Sequence, residues 1–184
     1  MNIVICNRQR TKKINLRLYR QIVAALFAEL EISEAELGIQ LVGAKEMARV
    51  NRQFLQHEGS TDVITFDHGP IGPEIRSSKA ESRKKSEARK PNQPMELPES
   101  PRPTLHGELY ICVDDAVAQA GQFQTTWQAE IVRYAVHGIL HLLGHDDLKP
   151  DLRRKMKREE NRLVRRLANR FSLAQLSRPA NIGA

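Results

Sequence analysis

Two histidines one helical turn apart are the residues best placed to do chemistry. Val136–Asp147 reads VHGILHLLGHDD. His137 and His141 stand at i and i+4, so on a helix both imidazoles project from one face. Around them Ile131, Val132, Ala135, Val136, Ile139, Leu140, Leu142 and Leu143 make that helix apolar almost all round. Glu130, Tyr134, His137 and His141 form its one polar stripe. Unpaired imidazoles inside a core cost stability, so the stripe needs partners. A divalent metal shared by both rings meets that need. Two core histidines satisfied by hydrogen bonds are the plain alternative, but the i, i+4 pair followed by Gly144 and two aspartates favours the metal.

Gly144 lets the chain leave helical geometry and fold back over the ligand edge. A third ligand can follow within a few residues. The His-x3-His-x5 spacing lands on Asp147, with His145 and Asp146 as close competitors. Three protein ligands leave a position open for water, the catalytic rather than the structural kind of zinc site. Zinc lowers the pKa of its bound water to about 7, which supplies a nucleophile at neutral pH. A zinc protease of this pattern carries Glu directly after its first histidine as general base. Gly138 stands there instead, so peptide hydrolysis is disfavoured.

These ligands must be held by ordinary elements. Apolar, β-branched runs predict strands at Asn2–Cys6, Leu37–Val42, Asp62–Phe66 and Leu105–Val113. Helical spacing predicts helices over Ile14–Glu31, where Leu18, Ile22, Ala25, Leu26 and Leu30 share a face, and over Ala44–Leu55. A short helix is expected from an Asp114 cap to about Phe123. The histidine helix follows, capped by Thr125 or Thr126 and ended by Gly144. Asp151 is expected to cap a last helix with Leu152, Met156, Leu163, Leu167 and Phe171 on one side; fraying is expected after Ser172. Residues 69–104 hold seven of the nine prolines and few apolar residues. They cannot bury enough surface to offset chain entropy, and they read as a disordered surface insertion.

At 184 residues and 21.0 kDa the chain can build a real core without disulfides. No apolar run approaches the ~20 residues that span a bilayer, and Met1–Asn7 has no secretory leader pattern. Cys6 and Cys112 are too few for a disulfide framework and read as buried free thiols of a reducing cytosol. The net charge of +7 is concentrated: Lys149–Arg170 has ten basic and three acidic residues, and the remainder is neutral on balance. A basic appendage suggests a polyanionic partner, though a solvated, dimerising or membrane-surface face has the same composition.

The histidine segment resembles the signature of the YbeY family of metal-dependent endoribonucleases, His-Gly-x-Leu-His-Leu-x-Gly-Tyr-Asp-His. His137, Gly138, Leu140, His141, Leu142, Gly144 and Asp146 stand in register with it. Asn51–Phe66 (NRQFLQHEGSTDVITF) resembles a second family block, and Gly107–Ile111 (GELYI) a third, in family order. The resemblance implies an α+β, zincin-like fold: a small mixed β-sheet packed with helices, the metal-binding histidines on a central helix. Residues 1–148 would form the hydrolase domain, with the insertion at about 69–104, and residues 149–184 a basic C-terminal helix and tail. The implied activity is cleavage of single-stranded RNA in rRNA processing, at the 3′ end of small-subunit rRNA, and in ribosome quality control. The implied partners are rRNA and the small ribosomal subunit.

Several positions depart from the family pattern. Its third histidine falls on Asp147, so the ligands would be His137, His141 and Asp147, with His145 the alternative third. A hard oxygen ligand suits zinc and also manganese or nickel. The family's arginine for RNA phosphate falls on Leu55. Arg52 or Arg49 are the nearby candidates, but a residue three positions back points about 60° away on a helix. Thr61 and Asp62 either contact RNA at the cleft or cap a strand, and Glu108 replaces a common Asp. Asp146 is expected to orient a histidine. Two other readings stay open: a non-catalytic rRNA binder with a structural metal, and a metallohydrolase of a small non-nucleic substrate.

Overall fold

The computed structural model describes residues 1–69 and 103–177. Alternating apolar residues pair four strands into one mixed sheet. β1 (Asn2–Asn7) runs parallel to β2 (Glu34–Val42), and β2 parallel to β4 (Thr104–Cys112). β3 (Val63–Asp67) runs antiparallel to β4 and forms the other edge, in the order β1-β2-β4-β3. With a period of two, Ala35, Leu37, Ile39 and Leu41 of β2 and Leu105, Leu109 and Ile111 of β4 turn to one face and are buried.

That face is covered by α1 (Leu16–Glu29), α4 (Trp127–Leu142) and α5 (Pro150–Arg170), which share one core with it. On the opposite face α2 (Ala44–Leu55) seals a smaller cluster of Val42, Met47, Val50, Ile64 and Cys112. α3 (Val113–Phe123) joins β4 to α4. Among the described residues no helix is long and apolar enough to cross a membrane. The mixed α+β arrangement with a small sheet and a central histidine helix matches the expected fold class.

Four local expectations need correction. Asp114 does not cap α3; its carboxylate accepts from the Ala44 N–H at 2.7 Å and so serves the start of α2. Asp151 lies inside the first turn of α5, where Lys149 is the N-cap and Pro150 takes the first helical position, which needs no N–H donor. The chain after Ser172 forms a 3-10 turn, Leu173–Leu176. Leu176 is wholly buried there, and its carbonyl accepts from the Asn15 N–H at 2.9 Å. Cys6 is exposed on the edge strand, whereas Cys112 is buried and burial pushes its thiol up to about 12. The proline-rich insertion lies outside the described residues except at its ends, where Thr104 opens β4.

Candidate metal centre

Thr126 accepts from the Ala129 N–H at 3.2 Å and starts α4, while Thr125 donates to Glu130 at 2.6 Å. The helix then crosses β3 and β4 with Gly138 facing them. A Cβ at that position would stand 2.8 Å from Leu109 Cδ2 and 3.2 Å from Val63 Cγ2. The place where a zinc protease keeps its glutamate therefore points into the packed sheet, and a side chain there would have to displace Leu109. At the far end Gly144 adopts φ +85°, its N–H bonds the His141 carbonyl at 2.9 Å, and the His145 N–H bonds the Leu140 carbonyl at 3.0 Å. This left-handed cap reverses the chain and brings Asp147 back toward the histidines.

The imidazoles are held by their outer nitrogens. His137 Nδ1 lies 3.1 Å from Glu160 Oε2, and His141 Nδ1 lies 3.0 Å from the His145 carbonyl oxygen. An ionised carboxylate and a carbonyl can only accept, so each Nδ1 carries the hydrogen. In its neutral form, the form that binds a metal, each ring then keeps a bare lone pair on Nε2. The two Nε2 atoms face each other at 3.0 Å. Two lone pairs at that distance cannot hydrogen-bond and repel, which a shared cation would reverse. Asp147 Oδ1 stands 3.9 Å from His141 Nε2, and ligand atoms of all three residues lie within 4.8 Å of one another. Two neutral imidazoles and a carboxylate are a donor set that fits a divalent ion such as zinc.

Glu160, on α5, is the hub behind His137. It is 3% exposed; its Oε1 accepts from Arg133 Nη1 at 2.7 Å and from Lys157 Nζ at 2.8 Å. Burial pushes its carboxyl up, but hydrogen bonds from His137, Lys157 and Arg133 together outweigh it and hold the group down at about 2. Arg153, also on α5, donates to the Asp147 carbonyl at 2.9 Å. All three candidate ligands therefore have a neighbour that fixes them. Asp146 does not act in this way: it accepts from the Leu148 N–H at 2.9 Å within its own turn.

A cleft of 440 Å³ opens at this point, walled by Asp62, Tyr134, His137, Asp147, Lys157 and Glu160. Tyr134 is 2% exposed, and its hydroxyl has no hydrogen-bond partner among the described residues. Burial, with the charge of Asp62 adding to it, raises its pKa. Asp62 both caps and faces the cleft: its Oδ1 accepts from the Val63 N–H at 2.9 Å and from Thr61 Oγ1 at 3.0 Å. Arg49 and Arg52 lie on the exposed side of α2, 3.9 Å from Glu46 and 3.8 Å from Glu58, and do not line the cleft. Leu55, beside them, is 48% exposed. His145 contributes its backbone carbonyl, and its ring is not among the grouped ligand atoms.

Sequence reasoning missed Glu160, Arg153 and Lys157. Glu160 had a legible signal. It stands four residues after Met156 and three before Leu163, on the apolar side of an amphipathic helix, where a charge needs a buried partner.

Fold and site together define an α+β protein with a His-His-Asp cluster able to take a divalent ion. The sequence profile of the family described as Endoribonuclease YbeY matches residues 4–168, and the chain belongs to that family. Endoribonuclease YbeY of Chlorobium luteolum is 28% identical over 167 residues, covering 91% of this chain and 98% of the relative. Endoribonuclease YbeY of Myxococcus xanthus is 32% identical over 148 residues, 80% of this chain but 42% of that longer relative. The solution structure of TM1509 from Thermotoga maritima shares the fold, with a TM-score of 0.58 at 21% identity over 99% of each chain. Membership bears out the resemblance and favours neither the non-catalytic binder nor the small-substrate hydrolase.

Proposed function

We propose that His137, His141 and Asp147 hold one divalent ion, zinc in first place and nickel or manganese as alternatives, with which this chain cleaves single-stranded RNA. The activity class follows the family: an endoribonuclease, a metal-dependent hydrolase acting in rRNA processing. The 3′ end of small-subunit rRNA is the proposed target, the small ribosomal subunit the proposed partner and the cytoplasm the proposed location. When bound, zinc supplies Lewis acidity toward a phosphodiester oxygen and makes water nucleophilic near neutral pH.

The chain's own residues do the remaining work. Glu160 and the His145 carbonyl keep both Nε2 lone pairs turned inward. Arg153 ties the Asp147 loop to the first turn of α5. Lys157 and Arg133 bring positive charge to the cleft wall, where negative charge develops as a phosphate is attacked in line. Among the described residues β3 pairs on one side only, so its other edge offers an extended strand beside the cleft for single-stranded RNA.

The observation that carries the reading is the pair of Nε2 atoms at 3.0 Å with both Nδ1 positions already occupied. The test is His141→Ala, with metal content measured by mass spectrometry and cleavage followed on a labelled single-stranded RNA. Stoichiometric metal and cleavage are expected to vanish together. RNA cleavage that survives in metal-free protein would reject the assignment.

A further inference from the structure

Apart from Lys157, the cationic side of α5 takes no part in the site. Its inner side, Met156, Glu160, Leu163, Val164 and Leu167, is buried. Its outer side carries a shallow groove of 930 Å³ whose cations are Arg154, Lys157, Arg158, Arg162, Arg165 and Arg166. Lys157 lines both this groove and the metal cleft, so the two adjoin at that side chain.

We propose that this groove is a track for the RNA backbone leading away from the metal cleft, gripping phosphates rather than bases. The proposal rests on the endoribonuclease reading and extends it to the strand beyond the cleavage site.

Three features favour RNA. Arg158 and Arg165 have no acidic partner within ion-pair distance among the described residues. Arg162 and Arg166 are paired with Glu159 and Glu29, but surface ion pairs of this kind are weak, and phosphate can displace them. The cations lie at helical repeats, 154, 158, 162 and 165, 166, and with Asn169 the groove runs about 22 Å along the axis at 1.5 Å per residue. At roughly 3.4 Å per stacked nucleotide that accommodates about six nucleotides. Among the described residues no aromatic side chain lines the groove, so it offers charge without a stacking platform for bases. A bilayer surface is the poorer fit, because the apolar side of α5 is already buried in the core and has nothing left to insert.

The test is the triple variant Arg158→Ala, Arg162→Ala, Arg165→Ala, with binding read by fluorescence anisotropy in chelator so that the metal site is silent. Affinity for an unstructured RNA of ~20 nucleotides is expected to fall about tenfold or more. The slope of log affinity against log salt should drop by about 2, following roughly 0.7 per lost phosphate contact. Arg10→Ala, Lys13→Ala, Arg17→Ala, an equal charge change on the β1–α1 segment, should stay within about twofold.

An unchanged affinity and slope, an equal loss in the control, or binding of anionic vesicles but not RNA would overturn the track. If the triple variant melts early, Arg158→Ala and Arg165→Ala are read singly, each expected to lower the slope by about 0.7. Failure of the metal reading is separable: RNA binding in chelator would persist through α5 while no RNA is cleaved when metal is restored.

Discussion

His137 and His141 are one turn apart, yet they are anchored by opposite means. His141 leans on its own chain, bonding the carbonyl of His145 four residues on, across a turn that Gly144 makes. His137 depends on Glu160, twenty-three positions away and on another helix, itself clamped by Arg133 and Lys157. One half of the pair is held by local geometry and the other by tertiary packing. The centre is therefore complete only once α5 has docked on α4.

That contrast can be broken from either side. Glu160→Gln removes the charge that faces His137 and leaves the His141 anchor intact. Loss of a group that orients a metal ligand costs about 10–100-fold in metal affinity, and a buried acceptor network of this kind is worth about 1–3 kcal/mol. Metal titration and thermal melts should show both losses, with the α4 turn unchanged by NMR. An unaltered metal affinity would mean that Glu160 is only structural.

Acid sharpens the same half of the comparison. The Glu160 carboxyl is depressed to about 2 from an ordinary 4.5. Its stabilising contribution is therefore complete above about pH 4.5 and is lost as the pH falls from there through about 2. The gap in melting temperature between wild type and Glu160→Gln should hold from pH 7 to about pH 5 and narrow below that. A gap that closes already near pH 6 would contradict the assignment.

The smallest effect is expected on the local side. Gly144→Ala meets open space but must adopt φ +85°, which costs about 1–2 kcal/mol for a residue with a Cβ. Metal affinity should fall by less than tenfold, about tenfold at most if the His145 carbonyl shifts. A larger loss here than in Glu160→Gln would invert the comparison.

The difference between local and tertiary also decides what could be read in advance. Periodicity placed every described strand and α-helix to within a few residues, because burial of alternate or every third-to-fourth side chain leaves its pattern in the chain. Asp114 and Asp151 were misplaced as caps because a carboxylate near a helix start has other suitors; Asp114 found the Ala44 N–H across the fold. Leu176 looked like part of a loose tail because one apolar residue has no period, yet it fills a pocket against Asn15 and α4.

The amino-acid order alone determined that two imidazoles share a helical face, that glycine turns the chain after them and that a carboxylate follows within reach. Those are consequences of 3.6 residues per turn and of glycine's freedom at positive φ. Folding decided which nitrogen of each ring faces the cleft, since that depends on the acceptor behind it, and Glu160 arrives only through the packing of α5. It also decided that Gly138 meets the sheet rather than the cleft and that Lys157 joins the metal site to the basic groove. Long-range contacts of this kind have no signature in spacing, because nothing local requires them.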